Sequence, residues 1–331
     1  MAGAANQRLK LLYLQRIFWE RTDEEHPMTI QELEDALAEY GISSQRKSLY
    51  GDIEALRDFG MDIITRRGYR QVGYFLGERD FQLPELRLLV DAVQSSRFIT
   101  HRKSTQLIKK LEGLASRHQA GQLRRHVYVY DRVKTDNERI YLNVDALNTA
   151  ITQGKKVSFR YFDYTPRKQK VPRNGGKPYV VSPYALSWAE DNYYLIAHHP
   201  KYDDISHFRV DRMQDIAVLQ EPVQNIREVT GQLALNLAEY SRTLFGMYAG
   251  TPMKLSIRFD NSLVNTVIDR FGEEADLDPG EGSFVAHVQA EVSPTFYSWV
   301  MMFGPKAEIL SPPAAREELL RRAQEIANLY K

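Results

Sequence analysis

The apolar period changes twice along these 331 residues, and that change limits the fold more than any single motif. Up to about residue 60 the apolar side chains recur at helical spacing. From Lys156 they alternate, with Val157, Phe159 and Tyr161 set against Ser158 and Arg160. From Met253 strand-like and helix-like stretches take turns. A period of 3.6 marks an amphipathic helix and a period of 2 a half-buried strand. The chain therefore reads as an α+β multidomain protein with several cores, and its length exceeds one ordinary domain.

In the N-terminal part Leu9, Leu12, Tyr13 and Ile17 predict a first helix over about residues 6–20. Thr29-Ile30-Gln31-Glu32 has the form of a capping box. Leu33, Ala36, Leu37 and Tyr40 then give a second helix one apolar face, and Gly41 is placed to end it. A third helix starts after Ser43 or Ser44, with Leu49, Ile53 and Leu56 inward and Gly60 at its end. Two β-prone segments, 62–65 and 73–76, flank Arg66-Arg67-Gly68-Tyr69-Arg70. Three helices and a hairpin with a basic tip predict a winged helix-turn-helix over residues 1–80.

The third helix has no acid before Asp52, and its first turns carry residue types that read base edges or grip phosphates. The candidate DNA-binding residues are Thr29, Gln45, Arg46, Lys47, Ser48 and Tyr50, with Arg66, Arg67 and Arg70 on the wing. An amphipathic helix with a merely polar outer face is the other reading of the same residues. The expected partner is a double-stranded DNA operator.

Net charge is only +1, and the total hides an uneven distribution. Residues 1–80 hold 11 Lys and Arg against 14 Asp and Glu, residues 81–140 hold 12 against 6, residues 141–220 hold 11 against 8, and residues 221–331 hold 10 against 15. Any DNA-reading surface near the N-terminus must therefore be local.

Residues 81–140 read as a helical linker. Pro84 opens one helix with Leu86, Leu89, Val90 and Val93 on one face, and Leu107, Ile108, Leu111 and Leu114 mark another. Dimer contacts are expected here and in the C-terminal module, with plain helical packing as the alternative. Residues 141–222 hold further strand-like runs at 179–182, 193–198, 206–210 and 216–219, which suggest a small barrel. Tyr194 and His198 stand four apart on one strand and share a face. Arg209 and Arg212 follow, and strand alternation puts them on opposite faces unless the strand ends between them. Residues 223–331 alternate strands and helices as a ferredoxin-like α/β module would.

Several function classes lack support. The absence of cysteine excludes disulfides and thiolate metal sites. His198-His199 has no suitably spaced third ligand, so no metal is expected. Gly175-Gly176-Lys177 lacks the spacing of a phosphate loop and reads as a hairpin turn. Without a nucleophile elbow or dinucleotide fingerprint, no catalytic residue, cofactor or enzymatic activity is expected. No apolar run is long enough to span a bilayer and no signal peptide is evident, so the expected location is the cytoplasm, away from membranes.

Residues 45–56 resemble the recognition-helix segment of the WYL-domain transcription regulators. Residues 192–198, Asn-Tyr-Tyr-Leu-Ile-Ala-His, are similar to the segment that names that family, and residues 207–213, His-Phe-Arg-Val-Asp-Arg-Met, to its arginine-bearing signature. The stretch from Leu255-Ser256-Ile257-Arg258-Phe259 through Phe303-Gly304-Pro305 to Pro312 looks like the family's C-terminal extension, WCX. Tyr193 stands where the family name has Trp. The resemblance implies an Sm-like, SH3-type β-barrel for residues 141–222, a homodimer, and a pocket for a nucleotide or an oligonucleotide effector, single-stranded DNA or RNA. By the same analogy Arg160, Tyr184, Tyr194, His198, Arg209 and Arg212 line that pocket. A ligand-responsive bacterial regulator is the leading expectation. A single-stranded nucleic-acid-binding accessory protein that modulates a defence or repair enzyme is the alternative.

Overall fold

The computed structural model describes residues 8–68, 71–123, 134–135, 137–201, 205–230, 240 and 243–331. The chain divides into two units, Met1–Asp136 and Asn137–Lys331. Among the described residues, helices and several antiparallel sheets make it α+β.

In the first unit α1 (Lys10–Arg21) buries Leu14, Ile17 and Phe18, the i, i+3, i+4 stripe of an amphipathic helix. At its end the Thr22 hydroxyl donates to the Phe18 carbonyl (2.7 Å) and accepts the Leu76 N–H (3.1 Å). After β1 (Met28–Thr29), α2 (Ile30–Ala38) opens on the expected capping box. Thr29 Oγ1 accepts the Glu32 N–H at 3.3 Å, and Glu32 Oε2 accepts the Thr29 N–H at 2.6 Å. Such a cap contributes about 1 kcal/mol. α3 (Arg46–Asp58) buries Leu49, Ile53 and Leu56 against these helices. β2 (Ile63–Arg67) and β3 (Val72–Leu76) form a hairpin, and the sheet order is β1-β3-β2. Gly73 pairs with Thr29, and a Cβ there would lie 2.8 Å from the Pro27 Cβ. Only glycine lets β1 approach so closely.

α4 (Leu83–Ser95), α5 (His101–Glu112) and α6 (Arg117–Leu123) complete this unit around a small core of Leu86, Ala115 and Leu123. The expected stripe on α4 is incomplete, since Leu86 and Val90 are buried but Leu89 is 38% exposed. On α5, Leu107, Ile108 and Leu111 are only half-buried.

In the second unit α7 (Ile140–Gln153) ends on Gly154 at φ +60° and packs Leu147 and Ala150 onto a sheet. Its strands are β4 (Lys155–Tyr164), β5 (Lys170–Pro172), β6 (Tyr179–Ala189), β7 (Asn192–His198), β8 (Ile205–Arg209) and β9 (Met213–Pro222). Their order is β5-β4-β6-β7-β8, with β9 on β4. β4 meets β9 over residues 155–161, β6 over 157–159 and β5 over 162–164. A strand shared in this way bends the sheet around Phe159, Tyr161, Leu195, Ala197 and Phe208. Where a barrel is expected, the sheet is a curled half-barrel, because among the described residues β8 pairs with β7 alone. β6 runs past residue 182, its register shifting between Pro183 and Ala185, where proline cannot donate to the ladder. The Gly175-Gly176 turn is a short 3-10 turn, Asn174–Gly176.

α8 (Ile226–Thr230) leads toward the last sheet. There β10 (Thr251–Asp260), α9 (Val264–Phe271), β11 (Asp276–Pro279), β12 (Ser283–Val292), α10 (Pro294–Met301), β13 (Ala307–Ser311) and α11 (Pro313–Leu329) follow in order. The sheet order is β11-β12-β10-β13, antiparallel throughout. Leu255, Ile257 and Phe259 of β10 meet Ala286, Val288, Phe296 and Val300 in its core. β11 went unexpected at the sequence level because Asp276, Asp278 and Pro279 carry no apolar alternation.

Candidate nucleic-acid interfaces

Turning Leu49, Ile53 and Leu56 inward leaves Gln45, Arg46, Lys47, Ser48 and Tyr50 exposed on α3. Arg46 Nε donates to the Tyr50 hydroxyl at 3.2 Å, an i, i+4 contact that holds the guanidinium along the helix. Arg46 and Tyr50 line one cleft of about 580 Å³ with Thr29, Gln31, Glu34 and Arg67, between α3, the start of α2 and the hairpin. The fold thus brings four of the sequence candidates, Thr29, Arg46, Tyr50 and Arg67, to one concavity.

The other candidates are placed differently. Ser48 accepts from the Lys10 ammonium at 2.9 Å. Arg66 donates to the Glu24 carbonyl at 2.6 Å, which ties it to the turn after α1. Gln45 and Lys47 are exposed beside the cleft, the Thr29 hydroxyl is engaged in its capping box, and Arg70 lies outside the described residues. Asp52, the first acid of α3, forms an ion pair with the buried Lys10 of α1.

On the second unit, Tyr193, Leu195 and Ala197 of β7 face the main core, so Asn192, Tyr194, Ile196 and His198 face the other way. Tyr194 and His198 do share a face, but both are buried, each 7% exposed. Tyr194 packs with Ala185, Ile196 and Ile205 beneath Leu244 and Met247. Burial pushes its phenol above its ordinary pKa. Arg209 stands directly opposite Tyr194 in the β7–β8 ladder. Its guanidinium binds both Asp211 oxygens (3.0 and 2.9 Å) and the Asn192 side-chain oxygen (2.8 Å). Burial works against that cation, and Asp211 more than restores it.

β8 ends at Arg209, and residues 210–212 form a 3-10 turn, so strict alternation does not govern Arg212. Arg212 lies 3.7 Å from Asp163, which also pairs with Arg173. Arg173 sits 5.1 Å over the Tyr161 ring, and the Tyr161 hydroxyl accepts the Arg209 N–H at 3.2 Å. Arg160 is exposed and 3.4 Å from Asp215. Tyr184, half-buried, donates to the Gln224 carbonyl at 3.1 Å. Arg209, Arg212 and Arg173 therefore meet around Tyr161 and Asp163, while Arg160 is held apart from them by Asp215.

The WYL domain family matches residues 143–218, which contain this sheet, and the WCX domain family matches residues 251–327. The chain carries a WYL domain followed by a WCX domain. No curated protein matches the sequence. Among solved structures, proteasome accessory factor B/C (PafBC) of Arthrobacter aurescens is 16% identical at a TM-score of 0.29, over 94% of this chain and 47% of that one. A CRISPR Cas-related protein is 17% identical at a TM-score of 0.38, over 67% of this chain and 60% of that one. The chain thus spans less than two thirds of the length of either, and the assignments rest on the two domain families.

In the WYL domain the family's Trp position holds Tyr193, which packs on the main core and meets Trp188 edge-to-face at 4.7 Å. A large aromatic is kept, and with it the packing. Sequence reasoning missed Arg173, whose only signal is a basic residue beside the Asn174-Gly175-Gly176 turn. It also missed Lys10, which looks like any other cation of a helix face. Among the described residues no group of three His, Cys, Asp or Glu could hold a metal, and no helix is long and apolar enough to cross a membrane.

Proposed function

We propose that this chain is a DNA-binding transcription regulator whose WYL domain senses a nucleic acid or nucleotide. In this reading the first 80 residues are a winged helix-turn-helix, with α3 as recognition helix and β2–β3 as wing, and the WCX domain is ferredoxin-like, following its β-α-β-β-α-β order. The observation that carries it is the cleft shared by Arg46, Tyr50, Arg67 and Thr29. A recognition helix enters the major groove at its N-terminal end while a wing follows the backbone or the minor groove, and the cleft puts cations on both. Its first turn carries no acid, and the first acid beyond it, Asp52, is paired with Lys10. Guanidinium groups grip phosphates bidentately and keep their charge at any working pH, which suits the cluster of Arg173, Arg209 and Arg212 to a nucleic-acid effector. The regulator acts as a homodimer on a two-fold operator.

The test is a fluorescence-anisotropy titration of the full chain against duplexes tiled across the DNA flanking its own gene. Tight, salt-dependent binding to one duplex, weakened by Arg46→Ala and by Arg67→Ala, supports the reading. Equal weak binding to every duplex, unchanged in both variants, overturns it.

A further inference from the structure

The geometry points to a ligand site on the β7–β8 face of the WYL domain that residues 244–248 of the same chain hold shut. The inference rests on the reading that the WYL domain takes a nucleic acid, and it adds what covers that pocket and what must move first.

Leu244 and Met247 cover Tyr194, Ile196, Ile205 and Ala185, while Phe245 between them turns the other way, into the WCX core. The strap is fastened from the WCX side. Arg270 Nη2 donates to the Leu244 carbonyl at 2.5 Å, and its guanidinium lies 3.9 Å from the Phe245 ring centroid. Thr295 Oγ1 donates to the Phe245 carbonyl at 2.6 Å. The turn that lets the strap face both ways puts Gly246 at φ +61° and Met247 at φ +56°. Methionine seldom adopts that left-handed conformation, so the covering turn carries strain that release would relieve.

What lies beneath has the chemistry of base recognition. Tyr194 offers an aromatic face for stacking, and Arg209 stands opposite it on the next strand for a phosphate. His207 of that strand bonds the hydroxyl of Tyr240, four residues before the strap, at 3.0 Å, so the face also carries a hydrogen-bonding edge. The ligand is a base of a single-stranded oligonucleotide, which replaces Leu244 and Met247 on the sheet. Because Phe245 belongs to the WCX core, displacing its neighbours changes how the strap seats there, which ties occupancy of one domain to the other.

The chain has no cysteine, so one introduced thiol reports the opening without background. Ala185→Cys places it under the strap, and Ala197→Cys places it on the same sheet facing the main core. Arg270→Gln and, separately, Met247→Ala, which removes the covering side chain and keeps the strained φ, loosen the strap at its two ends. The expected result is at least tenfold faster thiol labelling at position 185 in both loosened backgrounds, with position 197 unchanged. A fluorescein-labelled dT12 should bind the loosened proteins about tenfold more tightly and slow the labelling at 185. Unchanged labelling at 185, or equal acceleration at 197, overturns the strap. Selective acceleration at 185 with no binding of dT12 or of a 12-mer RNA overturns the nucleic-acid reading on which the site rests.

Discussion

Lys10 and Asp52 form an ion pair between α1 and α3, with the lysine only 6% exposed. The same ammonium donates to Ser48 at 2.9 Å, so it fastens the first two turns of α3 from behind while their outer face stays open. Removing one partner of a buried pair leaves the other charge without compensation. Lys10→Met should destabilise the first unit by about 2 kcal/mol, less than for a fully buried pair because Asp52 keeps some solvent. Lys10→Met combined with Asp52→Leu should recover much of that loss. Urea unfolding followed by circular dichroism would show it, and additive losses in the double variant would mean the pair is not coupled.

In the cleft, Arg46→Ala and Arg67→Ala should each weaken specific DNA binding on the order of tenfold. If either contact is to a phosphate, the slope of log affinity against log salt should flatten by about one. Arg66→Ala should have the smaller effect, because the Arg66 guanidinium is held by the Glu24 carbonyl. Anisotropy titrations at several salt concentrations separate the three. An Arg66 effect larger than that of Arg67 would put the wing in a different orientation.

The junction of α1 and α6 should make stability depend on pH. The His26 and His118 rings stack at 3.8 Å, and Asp23 accepts from His26 Nδ1 at 2.7 Å and from the Ser116 hydroxyl. Burial, then the neighbouring His26 and Arg117 charges, lower the pKa of His118 below its ordinary 6.5. The folded state therefore binds that proton less readily than the unfolded chain does. Stability is full above 6.5 and is lost as pH falls from there through the lowered value. His118→Gln should flatten this slope, which melting temperatures at pH 7.5, 6.0 and 5.0 would reveal. Asp23 acts lower on the scale. Burial alone would raise its pKa, but the Ser116 and His26 hydrogen bonds bring it below the ordinary carboxylate value. Its contribution disappears only under stronger acid, and Ser116→Ala should move that loss to higher pH.

Arg209 and Arg212 should separate structural from ligand effects. Arg209→Ala strands Asp211 and Asn192 and should cost about 1–2 kcal/mol, whereas Arg212, 3.7 Å from its acid and a third exposed, should cost under about 0.5. Arg209→Lys keeps the charge and loses the two-pronged contact, so it should recover only part of the stability. Thermal melts rank the variants, and an Arg212→Ala as damaging as Arg209→Ala would contradict this division of roles.

Much of this protein is set by neighbours in the sequence. The Thr29–Glu32 cap, the stripe Leu49, Ile53, Leu56 and the alternation Val157, Phe159, Tyr161 all appear where local geometry puts them. A helix or strand repeats over a few residues, so side-chain spacing suffices to place one. The shared face of Tyr194 and His198 follows from the same rule. Tertiary structure alone decided what covers that face, because Leu244 and Met247 come some fifty residues later, on a segment whose Phe245 belongs to another core. It also decided that Lys10 is buried, that Arg66 turns back while Arg67 reaches the cleft, and that Arg173 joins Arg212 at Asp163. β11 belongs here too, since its acids and proline become a strand only when β12 offers an edge to pair with. Period reports which way a side chain points relative to its own backbone. What it meets there depends on chain ends closed over long loops and on which cores can be filled, and no short window of residues contains that information.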